Sequence, residues 1–168
     1  MGTPVLRLER LRADHAEAVL AFEAENREYF ARSVPDRGDA YFTPAGFAGR
    51  HHALLAEQDA GDCHFHLVLD EEGTILGRIN LMDAAAGTAE LGYRIGERAA
   101  GKGVATAAVG ELCRVAGTSY GLVSLWARTT ADNSASRTVL ERNGFELTEQ
   151  ITLMGRPGVR YARVGLGG

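Results

Sequence analysis

The chain has 168 residues, of which 45% are hydrophobic and 24% charged, and its formal net charge is -4. These values are typical of a soluble globular domain, and the negative balance argues against a general nucleic-acid binder, which needs a basic surface. No apolar run reaches membrane-spanning length and the first residues do not resemble a secretory leader. We therefore expect one domain over residues 1–168 in a cytoplasmic protein, with neither nucleic acid nor a membrane as its partner.

The first half of the chain alternates strands with helices. Residues 5–10 are predicted to form a strand, and Asp14 with Glu17 is typical of a capped helix start. Residues 27–44 carry several aromatic side chains around a polar turn and are predicted to form a loop. A second helix over residues 45–58 precedes a hairpin of strands at 64–69 and 75–83, which closes at Gly73.

The second half has a strand at 88–95, a helix from Val104, a strand at 122–128, a helix from Asn133, and strands at 146–154 and 159–164. Most neighbouring strands are joined by hairpins, so a doubly wound parallel sheet is not expected. The order predicts an α/β (α+β) fold, in which a mixed, mostly antiparallel sheet of about seven strands has helices on both faces.

A glycine-rich turn leads from the 88–95 strand into the Val104 helix. Two glycines, Gly101 and Gly103, stand where the helix begins. A helix entered in this way directs unpaired backbone N–H groups and the positive end of its dipole at one spot, which suits a phosphate.

Two phosphate-binding motifs fit this turn poorly. Residues 96–103 read G-x-x-x-x-G-K-G, but Gly103 lacks the hydroxyl with which a nucleoside triphosphatase holds magnesium. The dinucleotide fingerprint would need a third glycine where the chain has Thr106.

A third motif fits better. Arg98, Gly101 and Gly103 form R-x-x-G-x-G/A, which resembles the acetyl-CoA pyrophosphate loop of the GNAT superfamily of N-acetyltransferases. Downstream, residues 133–145 read N-x-x-S-x-x-x-L-E-x-x-G-F. Alone this segment would be a well-capped helix, but after the glycine turn it resembles the next GNAT block, most closely in the RimJ/RimL-like branch.

The resemblance implies an acetyl-CoA-dependent enzyme of the GNAT fold that acetylates a primary amine by direct attack. The acceptor would be a protein N-terminus, or a small amine such as a polyamine, an amino acid or an aminoglycoside; a non-catalytic CoA-binding regulatory domain is the remaining alternative. A homodimer is possible. The implied cofactor-binding residues are Tyr93, Ile95, Arg98, Gly101, Lys102, Gly103, Val104, Ala105, Thr106, Asn133 and Arg137.

Glu90 is the candidate general base. Strand alternation places it on one face with Gly92, where the missing side chain would leave room for a substrate. A carboxylate in a partly enclosed pocket is suited to accepting a proton near neutral pH. The alternative is that Glu90 simply pairs with a neighbouring arginine. Backbone N–H groups from Tyr93 to Ile95 are the expected oxyanion donors.

The group that assists the leaving thiol departs from a common GNAT pattern. Many members have a tyrosine where this chain has Leu140, and the RimL-like branch points to Ser136 instead. The alternative for Ser136 is that it only reinforces the start of its helix. Asn133 would hold cofactor amide groups.

No metal site is expected, since neither the two cysteines nor the histidines at 51–52 and 64–66 belong to a ligand cluster. The loop at 27–44 and a turn at 156–158 are the predicted walls of the acceptor site.

Overall fold

A computed structural model describes residues 3–166. The first two and the last two residues of the predicted domain lie outside the described residues, and the first two belong to the start of the chain that does not resemble a secretory leader. One sheet contains the strands β1 (Arg7–Arg10), β2 (His64–Leu69), β3 (Ile75–Ala85), β4 (Thr88–Ile95), β5 (Ser124–Thr130), β6 (Glu146–Leu153) and β7 (Arg156–Val164). Their order is β1-β2-β3-β4-β5-β7-β6. Neighbours are antiparallel except for the parallel pair β4–β5, which confirms the predicted mixed sheet.

Helices cover both faces of this sheet, as predicted. They are α1 (Ala16–Glu25), α2 (Arg27–Ala31), α3 (Pro44–Asp59), α4 (Val104–Ser119) and α5 (Ser134–Arg142). Strand alternation divides the core in two: Val68 packs in the cluster under α4 and α5, whereas its neighbour Leu67 packs in the cluster under α1 and α3. Burial of each large apolar side chain contributes about 1.5–3 kcal/mol to folding.

Three local predictions were wrong. The first α-helix begins at Ala16 after a short 3-10 turn, and Asp14 binds Arg12 instead of capping it. The 27–44 segment contains α2, because Phe30 is buried against Phe22 with ring centroids 5.8 Å apart. Residues 156–158 begin β7 rather than forming a turn.

The parallel pair β4–β5 is joined over a short length. The pairs are Thr88 with Ser124, Ala89 with Leu125, and Glu90 with Trp126. Beyond them β4 continues beside β3, and β5 continues beside β7. The two strands therefore part after Glu90, and we call the gap between residues 91–95 and 127–130 the fork. Backbone N–H and C=O groups along a strand edge without a neighbour are free to bind a ligand.

Candidate active site

The glycine turn has the conformation that its sequence requires. Gly101 and Gly103 have φ angles of 73° and 79°, in the left-handed region that residues with a side chain disfavour. Gly103 caps α4, whose first N–H groups have no partner within the helix. Buried Val104 fixes the helix to the core, while Ala105 and Thr106 are half-buried and Lys102 is exposed. An ideal Cβ at Gly101 would meet no atom within 4 Å. The turn thus has both the open space and the donors that a pyrophosphate needs.

Arg98 lies beside this turn at the surface. Its side chain is 89% exposed, and its Nε lies 2.7 Å from Oε1 of Glu25 on α1. An exposed ion pair of this kind contributes little to stability, so the guanidinium can exchange partners at low cost.

Two hydroxyl groups meet between the fork and α5. The Tyr93 O–H on β4 donates a hydrogen bond to Oγ of Ser136, 3.5 Å away. Burial raises the pKa of the Tyr93 phenol, and the hydrogen bond to Ser136 lowers it by less. The phenol therefore stays a neutral donor at physiological pH. Ile95, two residues further along, is half-buried at the end of β4.

Several α5 residues are held by the helix and its surroundings. The Asn133 side chain caps α5, because its Oδ1 accepts a hydrogen bond of 3.0 Å from the N–H of Ser136. Arg137 donates to the Tyr161 hydroxyl at 3.0 Å and to the carbonyl of Ala131 at 2.9 Å. Leu140, which stands where many relatives have tyrosine, is buried in the core.

Glu90 is 8% exposed and lies at the closed end of the fork. Its Oε2 and Oε1 accept hydrogen bonds of 2.8 and 3.2 Å from the Arg128 guanidinium on β5. These hydrogen bonds raise the pKa of Arg128. The room expected at Gly92 is taken by Met82, whose methyl carbon would lie 2.9 Å from a Cβ there.

A cavity of about 620 Å³ opens beside Glu90 between α3 and the start of β2. Its charged lining is mostly acidic: Arg50, Glu57, Asp62, Asp83 and Glu90. The cavity gives the Glu90 side of the fork access to water.

A second group of charged residues was missed by the sequence analysis. Glu23 on α1 is 1% exposed and binds both Arg78 on β3 and Arg94 on β4, at 2.9 and 3.2 Å. Alternation along β4 places Arg94 on the Glu90 face, which was the available signal. No local pattern pointed to Glu23, because it comes from a separate helix.

Within residues 3–166, no group of three or more histidine, cysteine, aspartate or glutamate residues is placed to hold a metal ion. Cys63 and Cys113 are free thiols. None of the helices in the described part of the chain is both long and apolar enough to span a membrane.

Comparisons with known proteins agree with this geometry. The chain is 29% identical over 140 residues to the probable N-acetyltransferase YjcK of Bacillus subtilis, covering 80% of this chain and 77% of the relative. In fold it is similar to the ribosomal-protein-S5-alanine acetyltransferase of Vibrio fischeri, with a TM-score of 0.88, 19% identity, and coverage of 98% and 96% of the two chains. It is also similar to Mycobacterium smegmatis RimJ in complex with CoA-disulfide, with a TM-score of 0.86, 21% identity, and coverage of 96% and 82%.

The family model of the acetyltransferase (GNAT) domain matches residues 6–146, which include the glycine turn, the fork and α5. With these elements in the arrangement described above, the chain belongs to the GNAT acetyltransferase family and is an N-acetyltransferase that uses acetyl-CoA.

Proposed function

We propose that the acceptor is an α-amine, and that this amine is the N-terminus of a protein. The observation that carries this proposal is the ion pair of Glu90, whose two carboxylate oxygens both accept hydrogen bonds from Arg128. Because both oxygens already accept hydrogen bonds, Glu90 is suited to an acceptor that needs little help to lose its proton.

An α-amine needs less help to lose its proton than a lysine side chain does. With a pKa of about 7.7–8.0, between about one in eleven and one in six α-amines is already unprotonated at pH 7. With a pKa of about 10.4, only about one lysine amine in 2,500 is unprotonated at that pH. Glu90 would receive the α-amine proton, directly or through water in the adjoining cavity.

The cofactor would lie along the glycine turn and the fork. Acetyl-CoA supplies the acetyl group as an activated thioester. The residues proposed to hold it are Gly101, Gly103 and the first N–H groups of α4 at Val104, Ala105 and Thr106, with Arg98, Lys102, Asn133 and Arg137 around them.

Two sets of donors would serve the reacting atoms. Backbone N–H groups between Tyr93 and Ile95, on the fork edge of β4, would bind the acetyl oxygen. The linked Tyr93 and Ser136 hydroxyls would donate a hydrogen bond to the departing sulfur, so that the thiol could leave without a strong general acid.

The test is CoA release from acetyl-CoA by the purified protein with a panel of acceptors. The panel contains peptides with free N-terminal Ser, Ala or Met, the same peptides with blocked N-termini, lysine blocked at its α-amine, spermidine and an aminoglycoside. Turnover with the free N-termini and not with the blocked ones is expected. Turnover confined to spermidine, the aminoglycoside or the lysine side chain would overturn the α-amine assignment. Sedimentation of the same preparation tests whether the protein is a homodimer.

A further inference from the structure

Three arginines meet on the face of the sheet covered by α1 and α3. Arg78 and Arg94 both bind the buried Glu23, whose Oε1 also accepts a hydrogen bond of 3.5 Å from the Tyr41 hydroxyl. Arg37 lies over the Tyr41 ring, with its Cζ 5.1 Å from the ring centroid. We call Arg37, Arg78 and Arg94 the arginine cluster.

The arginine cluster carries more positive charge than its surroundings neutralise. Glu23 is shared by Arg78 and Arg94, and in the described part of the chain no carboxylate forms a salt bridge with Arg37. The carboxylates next along the loop, Asp36 and Asp39, both bind Arg27, at 2.8 and 2.7 Å. The four arginines and three carboxylates of this region therefore leave one positive charge.

The arginines of the cluster differ in exposure. Arg78 is 6% exposed and has Glu23 as its counterion, whereas Arg37 lies at the surface with no carboxylate partner among the described residues. Partial burial of its guanidinium lowers the pKa of Arg37, and the nearby positive charge of Arg94 lowers it further. An anion beside Arg37 would offset the repulsion between the two guanidinium groups, so it would be bound favourably.

The cluster lies beside the fork. Arg37 belongs to the 27–44 segment, which is a predicted wall of the acceptor site, and Arg94 shares its strand face with Glu90, about 13 Å away along β4. The cleft between Arg94 and Arg37 holds about 10 Å³, enough for one water-sized group, and its outer wall is the exposed Arg37. An anion would therefore bind at the mouth of the cleft, where Arg37 stands.

We infer that the arginine cluster binds a carboxylate of the acceptor, so that the preferred acceptor is an α-amine with an acidic group nearby. This inference rests on the proposed function and narrows it. One source of that chemistry is a peptide with Asp or Glu at its second or third position, and the other is a free acidic amino acid. Arg37 is the specificity-determining residue, because its guanidinium reaches solvent and carries the unshared charge.

The experiment compares kcat/KM for matched acceptors. Peptides that begin Ala-Asp or Ala-Ala-Glu are paired with peptides that begin Ala-Asn or Ala-Ala-Gln, and free aspartate and glutamate form a separate arm. A charge-assisted hydrogen bond to Arg37 should favour the acidic member of a pair by about tenfold. If the peptides are acetylated and free aspartate and glutamate are not, the carboxylate comes from a protein terminus. If only the free amino acids are acetylated, it comes from a metabolite.

Substitutions at Arg37 then test whether the preference comes from the cluster. Arg37→Gln should reduce the acidic-to-neutral ratio to near one, and Arg37→Glu should reverse it in favour of an Ala-Lys peptide. Arg7→Gln, on the exposed face of β1, is the matched control and should keep the ratio. Misfolding alone would lower all rates together and would not reverse a preference.

Two failures can be told apart. Turnover of α-amines with equal rates for acidic and neutral partners, or a ratio unmoved by both Arg37 variants, overturns the inference and leaves the proposed function standing. Turnover restricted to amines other than α-amines overturns the proposed function itself.

Discussion

Glu90 and Arg128 face each other across the closed end of the fork, where the last pair of the β4–β5 ladder gives way to an open edge. The Arg128 guanidinium donates hydrogen bonds to both carboxylate oxygens of Glu90. One ion pair thus spans the two strands at the point where backbone pairing stops.

Replacing Glu90 separates its two possible roles. If Glu90 is the base, Glu90→Gln should lower kcat/KM by about a hundredfold or more, because general-base catalysis is typically worth 10²–10⁴. Acetyl-CoA affinity, measured by calorimetry, should stay within about twofold of the parent protein because the glycine turn is intact. Arg128→Gln is the partner control, since it leaves the carboxylate in place and should retain much more activity. Equal losses in both variants, with equal falls in melting temperature, would mean that the pair only holds the strands together.

The hydroxyl pair predicts a coupled effect on the leaving group. Ser136→Ala and Tyr93→Phe should each lower kcat by about tenfold, which is the size of one hydrogen bond of about 1.4 kcal/mol. The double variant should be little slower than either single one, because the two hydroxyls act as one unit. Ser134→Ala, an exposed serine on the same helix, should leave kcat unchanged. Fully additive losses, measured in steady-state assays at saturating acetyl-CoA, would contradict a shared role.

The role of Gly101 in the glycine turn can be tested with Gly61 as a control, because the two glycines have similar φ angles. Gly101 and Gly61 have φ angles of 73° and 82°, and neither has an atom within 4 Å of an ideal Cβ. Alanine at either position should therefore cost about 1–2 kcal/mol of stability in urea unfolding, from backbone strain alone. Acetyl-CoA binding should weaken by about tenfold in Gly101→Ala and stay unchanged in Gly61→Ala, because one glycine lies in the turn and the other follows α3. A similar loss of binding in both variants would show that strain, and not the turn, is responsible.

His66 predicts how stability depends on pH. It is buried; its Nδ1–H donates to the carbonyl of Ile79, and its Nε2 accepts from the Tyr120 hydroxyl. Burial lowers the pKa of His66 from 6.5 to about 4. Between these values the unfolded chain binds a proton that the folded chain does not, so stability should fall as the pH drops from 6.5 to 4. The loss attributable to His66 approaches about 3 kcal/mol at the low end.

The measurement is the free energy of unfolding in urea at several pH values. His66→Gln should flatten the slope in this range, whereas His52→Gln, on the exposed face of α3, should keep it. A slope that is the same in the His66 variant and the parent protein would assign the acid sensitivity to other groups.

Much of the fold could be predicted from local sequence. The alternation in β4, the glycines that open α4, and the Asn133 cap of α5 all depend on backbone angles and on a period of two or 3.6 residues. Such signals act within a few residues, so they can be read from the chain itself. The misplaced start of α1 and the unpredicted α2 show their limit, because His15 binds Glu9 on β1 and Phe30 packs on Phe22 of another helix, and these contacts join different elements.

The sequence by itself determined the family, the cofactor class and the conformation of the glycine turn, because these reside in short motifs with fixed backbone requirements. Only the tertiary structure decided the partners of the charged groups. Glu90 meets Arg128 from 38 residues away, and Glu23 meets Arg78 from 55 residues away. These ion pairs depend on the strand register and on the docking of α1 against the sheet, and no local sequence propensity encodes either. The arginine cluster and its unshared charge therefore became visible only when the sheet and its helices were assembled.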